Sequence, residues 1–386
     1  MKYTLYLLLL FNLIFFFCTG KSGKTSFFQA DITENSRYFG ADDKNIQYSG
    51  RIDFSRPDKA VFSFPGVKIQ FCFTGTEVAV HIKDLTTGGI QADGRPAKNF
   101  FNVYIDRNDP FMLELTPDDT IYTLSSGLTK ENHYATLIKR TEALVGKVEF
   151  RGVWLEKNQL LFPIPGKPER KIEFIGNSIT CGYGVEAASE NEPFSCATEN
   201  VCLSYAFLTA KNLHTDYHII AWSGKGIAQN YDRSQTNTIP YIWKRLFPDE
   251  AESVWDHTLF VPDVVIINLG TNDFSSEDVD TTLFRATYIN FIKELRTKYP
   301  QAEIVCTVGP MMNNICPKNA LNTARYLIQT ITKQLNDSGD ENMYYFELSP
   351  QNGQLGYGAD WHPSAAQQRK NTLELTRYIK TITGWE

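Results

Sequence analysis

Four short stretches of this sequence hold residue types that could together make an activated serine nucleophile. Lys171–Gly184 reads KIEFIGNSITCGYG, and Ser178 follows a short apolar run closed by Gly176 and Asn177. A serine hydroxyl is a weak nucleophile. It needs a base to take its proton, a group to orient that base, and donors for the oxyanion. His362, in Asp360-Trp361-His362-Pro363, offers the base, and Asp360 offers a carboxylate two residues earlier. In an extended segment an aspartate at i−2 shares the histidine's face, which would bring it to Nδ1. Oxyanion donors come from Ser223-Gly224-Lys225-Gly226, through Gly224 N–H, and from Gly270-Thr271-Asn272-Asp273, through the Asn272 amide.

Each stretch also has a plain structural use. Gly176-Asn177-Ser178 could cap a helix, Asn272 could close a turn, and Gly224 and Gly226 could be loop glycines. Trp361 is either a core aromatic or a sugar-stacking platform beside the base, and we expect the platform. The other histidines, His81, His133, His214, His218 and His257, lack a neighbouring acid and serine and read as structural. No G-x-S-x-G elbow is present, since Thr180 stands where its second glycine would be.

The elements that must position these loops follow from hydrophobic patterning. From Arg37 to about Glu156 short strand patterns alternate with turn residues, which argues for a β-sandwich. They are Phe62–Phe64, Val67–Phe73, Val78–Ile82, Phe100–Ile105, Phe111–Leu115 and Tyr134–Lys139. Leu160–Lys171, with three prolines and a glycine, reads as a linker. Beyond it, strand patterns at Ile172–Ile175, Tyr217–Trp222, Val264–Asn268, Glu303–Val308 and Tyr344–Leu348 alternate with helical ones. Leu321, Ala324, Ile328, Ile331 and Leu335 lie on one helical face. Ser364 and Gln367 read as a capping box for the last helix. Strand–helix alternation implies a parallel sheet covered on both faces, doubly wound as α/β/α. The expected organisation is residues 1–20 as a signal peptide, 37–159 as the sandwich, 160–171 as linker and 172–386 as the α/β domain. In such a sheet the loops after successive strands share one edge, so all four stretches can converge.

Composition narrows the function classes. The chain has 386 residues, and 38 basic against 44 acidic residues give a formal charge of −6. No basic stripe is available to follow a phosphate backbone, which argues against nucleic acid. Lys2 and the apolar Leu5–Phe17 form a targeting segment too short for a span of about 20 residues. Export is therefore expected, to the periplasm, the medium or the cell surface. Cys18 is the one site for a lipid anchor, and the segment could equally be cleaved after Gly20. Six further cysteines follow. Cys196 with Cys202 is the best local disulfide pair, and six buried thiols is the alternative. No zinc spacing occurs: in an extended chain His214 and His218 would stand roughly 13 Å apart. Neither metal nor cofactor is expected.

Taken together, the blocks resemble the SGNH (GDSL) hydrolase superfamily, and within it carbohydrate esterase family 2. The resemblance also takes in Tyr48-Ser49-Gly50-Arg51 and Lys139-Arg140-Thr141-Glu142. It implies an N-terminal jelly-roll sandwich joined to an SGNH hydrolase domain. It implies Ser178 as nucleophile, His362 as base, and an oxyanion hole of Ser178 N–H, Gly224 N–H and Asn272. The implied reaction is removal of acetyl groups from plant polysaccharides such as xylan or glucomannan. Two departures stand out. Asn177 replaces the superfamily's usual aspartate, and Asp360 lies two rather than three residues before the histidine. Some family members orient the histidine by a backbone carbonyl instead, so Asp360 distinguishes a triad, which we expect, from a dyad. Two other functions compete: a non-catalytic glycan-binding protein with a relic hydrolase domain, and a lipid or short-chain esterase on the same fold.

Overall fold

The computed structural model describes residues 32–386 except 87, 88, 90, 92, 93 and 165. The targeting segment, Cys18 and most of the polar leader lie outside the described residues.

The N-terminal half is a sandwich of two antiparallel sheets. One has the order β1 (Ser36–Gly40), β10 (Val148–Glu156), β5 (Val78–Asp84), β8 (Asp119–Ser125), with β3 (Ala60–Phe62) also pairing β10. The other runs β11 (Leu161–Phe162), β4 (Lys68–Thr74), β9 (Asn132–Lys139), β6 (Phe100–Ile105), β7 (Phe111–Glu114), with β2 (Ile46–Ser49) also on β4. Phe62, Phe71, Phe73, Phe101, Leu137 and Phe150 fill the space between them. Two expectations change here. Phe64 is not in a strand, and its ring joins the core of the second domain. The proline-rich run is not wholly irregular, because Leu161 and Phe162 pair with β4.

The C-terminal half is a parallel sheet in the order β13 (Asp216–Ala221), β12 (Lys171–Gly176), β14 (Val264–Asn268), β15 (Glu303–Val308), β16 (Met343–Glu347). Period-two alternation sends side chains to opposite faces. Val264, Ile266 and Val305 join one apolar layer, and Val265, Ile267, Ile304 and Cys306 the other. Helices α2 (Tyr205–Asn212) and α6 (Ala365–Thr383) cover the first layer through Tyr205, Ala206, Leu375 and Ile379. The second is covered by α4 (Thr281–Lys298) and α5 (Ala320–Asp337), after the short α3 (Ile239–Ile242). The predicted stripe Leu321, Ala324, Ile328, Ile331 and Leu335 is the buried face of α5. Ser364 caps α6 by accepting from Gln367 N–H, but the capping box is half made. The Gln367 amide donates instead to Ser349 O and Asn371 Oδ1.

The domains meet over buried charge. Arg51 donates to Glu173 Oε1 at 3.2 Å, Trp243 O at 2.5 Å and Arg245 O at 2.7 Å, with both charged side chains out of contact with solvent. Cys196 and Cys202 are both free and sit in different apolar clusters, so the expected disulfide is not made. Among the six described cysteines only Cys316 is exposed.

Candidate active site

The strand order reverses direction at β12, whose neighbours are β13 and β14. Open sheets bind ligands at such a switch point, beyond the carboxyl ends of the strands. Ser178 stands there as the first residue of a four-residue helix, α1 (Ser178–Cys181), capped by Asn177 Oδ1 accepting from Ile179 N–H. The cap and the placement of the serine at the cavity are thus one device. Gly176 is required because Thr180 folds back onto it, and a Cβ there would lie 2.0 Å from Thr180 Oγ1.

Ser178 Oγ and His362 Nε2 are 2.8 Å apart. The other ring nitrogen, Nδ1, lies 3.0 Å from Ala359 O. Asp360 does not meet it. The premise of an extended segment fails, because Ala359–Trp361 is a tight turn in which Asp360 (φ 49°) and Trp361 (φ 62°) are both left-handed. That curl turns the Ala359 carbonyl onto the imidazole and sends the Asp360 carboxylate to Tyr183 OH, which donates to it at 2.7 Å. The Tyr183 ring stacks on His362 with centroids 4.1 Å apart. The geometry is that of a dyad: Asp360 makes no side-chain hydrogen bond to the ring and acts on it by its charge and through Tyr183.

The turn is pinned to the serine block by backbone. Ala359 N–H donates to Gly184 O at 3.0 Å, and Gly358 N–H to His362 O at 2.7 Å. A Cβ on Gly184 would fall 2.3 Å from the Ala359 Cβ, so only glycine permits the approach. Burial lowers His362 from its ordinary 6.5 to about 4, with the Ala359 carbonyl opposing. The ring is therefore neutral at physiological pH and can take a proton. Burial and the nearby Asp360 carboxylate push the Tyr183 hydroxyl up, which keeps it a donor.

A cavity of about 610 Å³ opens over the pair. Ser178 and His362 line it together with Gly224, Asn272, Tyr183 and Asp360, so the four predicted loops do converge. The Asn272 amide donates to Lys225 O at 2.8 Å, which orients it and leaves its second hydrogen for a ligand. Phe274, Met311, Met312 and Pro317 make an apolar wall, and exposed Cys316 sits on it. Trp361 is neither core nor part of this lining: its ring is 55% exposed and packs against Tyr357.

Buried Asp273 organises the loop beyond the oxyanion donors. It accepts from the N–H groups of Ile227, Ala228 and Gln229, the last two at 2.7 and 2.9 Å. Burial raises its carboxyl and these donors oppose the shift. Sequence reasoning gave no role to Asp273, Tyr183 or Glu142. All three lie inside blocks already conspicuous in the sequence, but their partners are distant in sequence: Ile227–Gln229 for Asp273, Ser223 for Glu142 and Asp360 for Tyr183.

Residues 48–165 match the carbohydrate esterase 2 N-terminal model, and residues 174–370 match the GDSL-like lipase/acylhydrolase family. A family two carbohydrate esterase from Clostridium thermocellum, solved in complex with cellohexaose, is 38% identical with a TM-score of 0.82. The match covers 88% of this chain and 100% of that one. This chain belongs to carbohydrate esterase family 2. As a member it is a carboxylic ester hydrolase, built from the family's sandwich and its GDSL-like domain. The cellulase/esterase CelE of Acetivibrio thermocellus is 39% identical over 354 residues, which are 91% of this chain and 41% of CelE. The chain thus spans less than half the length of CelE. An acetylxylan esterase / glucomannan deacetylase of Cellvibrio japonicus is 26% identical over 92% of this chain and 93% of its own length.

Proposed function

We propose that this chain is an exported serine esterase that removes O-acetyl groups from plant cell-wall polysaccharides or oligosaccharides, such as xylan or glucomannan, through an acyl-enzyme. The observation that carries the reading is the 2.8 Å contact of Ser178 Oγ with a neutral His362 Nε2 at the floor of an open cavity. His362 takes the hydroxyl proton as Oγ attacks the acetyl carbonyl. The oxyanion is received by the N–H groups of Ser178 and Gly224 and the free Asn272 hydrogen. Collapse breaks the bond to the sugar oxygen, and the imidazolium returns its proton to that oxygen. Water, deprotonated by the same ring, then releases acetate and regenerates Ser178.

The carbohydrate substrate is supported by the names of the Cellvibrio relative and by the cellohexaose bound to the Clostridium one. Export is supported by Lys2 and the apolar Leu5–Phe17, with Cys18 available for a lipid anchor. A stacking role for exposed Trp361 belongs to the same reading.

The test is acetate release from a panel of acetylated glycans, with acetyl and long-chain 4-nitrophenyl esters in parallel. Release from xylan or glucomannan, abolished by Ser178→Ala, supports the proposal. A Ser178→Ala protein keeping more than about a tenth of wild-type activity would sink the serine mechanism. Preference for long-chain esters would point to the lipid alternative, and binding without turnover to the glycan-binding one.

A further inference from the structure

The Lys139–Glu142 block lies in the sandwich and takes no part in the proposed chemistry, yet it reaches the site. Glu142 is fully buried just beyond the end of β9. Its Oε2 accepts from Ser223 N–H at 2.7 Å. Ser223 immediately precedes Gly224, whose own carbonyl accepts from Tyr231 N–H at 2.8 Å. The Gly224 peptide is therefore held from both sides. Behind Glu142 lies Glu199 of the hydrolase domain, also fully buried, accepting Glu142 N–H through Oε2 at 2.9 Å.

Among the described residues, the remaining oxygens, Glu142 Oε1 and Glu199 Oε1, are buried with no hydrogen-bond partner. Two such carboxyls cannot both ionise in an apolar surrounding, and one proton placed between them supplies both. Burial pushes both carboxyls up, so the pair holds one proton between them while Glu142 Oε2 remains the acceptor of Ser223 N–H. The matching positive charge is Lys139, whose buried Nζ donates to Thr141 O and Glu142 O at 2.7 and 3.0 Å. Cys181 Sγ lies within 4.8 Å of both carboxyls, making a set that could in principle ligate a cation. Lys139 and the shared proton already balance its charge.

We propose that Glu142 is a positioning residue: the sandwich domain fixes the oxyanion loop by holding Ser223 N–H, and a proton shared with Glu199 keeps that carboxylate in place. The inference rests on the proposed role of Gly224 N–H in receiving the oxyanion. It makes the sandwich part of the catalytic apparatus.

Glu142→Met fills a similar volume without an acceptor, and Glu142→Gln keeps an acceptor oxygen. Steady-state hydrolysis of 4-nitrophenyl acetate and amide exchange at Ser223 should be measured on both. Glu142→Met is expected to lower kcat by about 10- to 100-fold, since a misplacement near 1 Å costs that order, with KM within about threefold. Ser223 exchange should speed up by roughly tenfold or more. Glu142→Gln is expected to restore kcat to within about fivefold and to keep Ser223 protected. A folded Glu142→Met protein with kcat and Ser223 exchange both near wild type would overturn the proposal, as would a glutamine variant no better than methionine. Should the methionine variant not fold, the glutamine variant decides. Retention of kcat and protection upholds the proposal, and loss of both overturns it. Failure of the serine reading would show separately, as an active Ser178→Ala protein, and would leave the exchange result standing.

Discussion

The two sides of the cavity are held by different means. On the base side, the hydrogen bonds that set His362 are to backbone: Ala359 O receives its Nδ1, and Ala359 N–H is docked on Gly184 O, with the Tyr183 ring stacked on the imidazole. On the oxyanion side, side-chain carboxylates do the holding, Glu142 at Ser223 N–H and Asp273 at three consecutive N–H groups. A backbone clasp tolerates changes in side-chain chemistry and fails only when the chain is forced apart. A carboxylate clasp fails with one substitution.

The sharpest break in that contrast should come from the donor itself. Asn272→Ala removes one oxyanion contact, which typically costs about 10²- to 10³-fold in kcat. Little change in KM is expected, and an effect confined to KM would recast Asn272 as a binder of substrate. Next is Gly184→Ala. Its methyl would collide with Ala359 at 2.3 Å from a backbone already at φ 53°. The histidine turn must move, and a shift near 1 Å costs about 10²-fold. Unchanged activity in this variant would show that the clasp is soft.

Asp360→Asn should be mild, about tenfold or less, because Ala359 O and not the carboxylate takes the ring's Nδ1. A loss near 10⁴-fold, the magnitude known for the triad aspartate of serine proteases, would restore the triad. The smallest effect is on pH. With His362 lowered to about 4, kcat/KM should stay level from neutrality towards pH 5 and fall with a midpoint near 4. The Asp360 carboxylate raises His362, so its neutralisation should move that midpoint down. A midpoint at 6.5 or above would contradict the burial of the ring. Stability should follow the same ring. Between 6.5 and about 4 only the unfolded chain binds the proton, so stability is fullest above 6.5 and declines as pH falls through that window.

How legible this was depended on whether a residue's role is local. Val264–Asn268 and Glu303–Val308 are strands at the predicted bounds, because burial on both faces writes an unbroken apolar run. In the sandwich, β10 escaped notice because a bulge between Phe150 and Gly152 interrupts its alternation. Ser178, Gly224, Asn272 and His362 stand out in the sequence because each lies just after a strand or before the last helix, and the structure brings all four to one cavity. Asp360 was misassigned for a conformational reason: Asp360 and Trp361 adopt left-handed backbone, which residue types alone do not announce. Spacing left Cys196 and Cys202 open between a local pair and free thiols, and the turns between them lead each thiol into a different apolar cluster. Glu142 was unreadable as a clasp, since its partner Ser223 is 81 residues away and the contact exists only once both domains are in place.

Arg51 carries a consequence for how the chain comes apart. Its guanidinium, from the first domain, satisfies two carbonyls and a carboxylate of the second, entirely out of water. Replacing Arg51 while the halves stay packed would leave Glu173 buried without its counter-charge, which costs roughly 3–5 kcal/mol. The halves should consequently melt together. Calorimetry is expected to show one transition whose van't Hoff and calorimetric enthalpies agree, and Arg51→Met should lower its midpoint or split it in two. Such coupling ties the two folds together as inherited cargo: a recombination event that exchanged either half alone would import a buried ion with nothing to meet it.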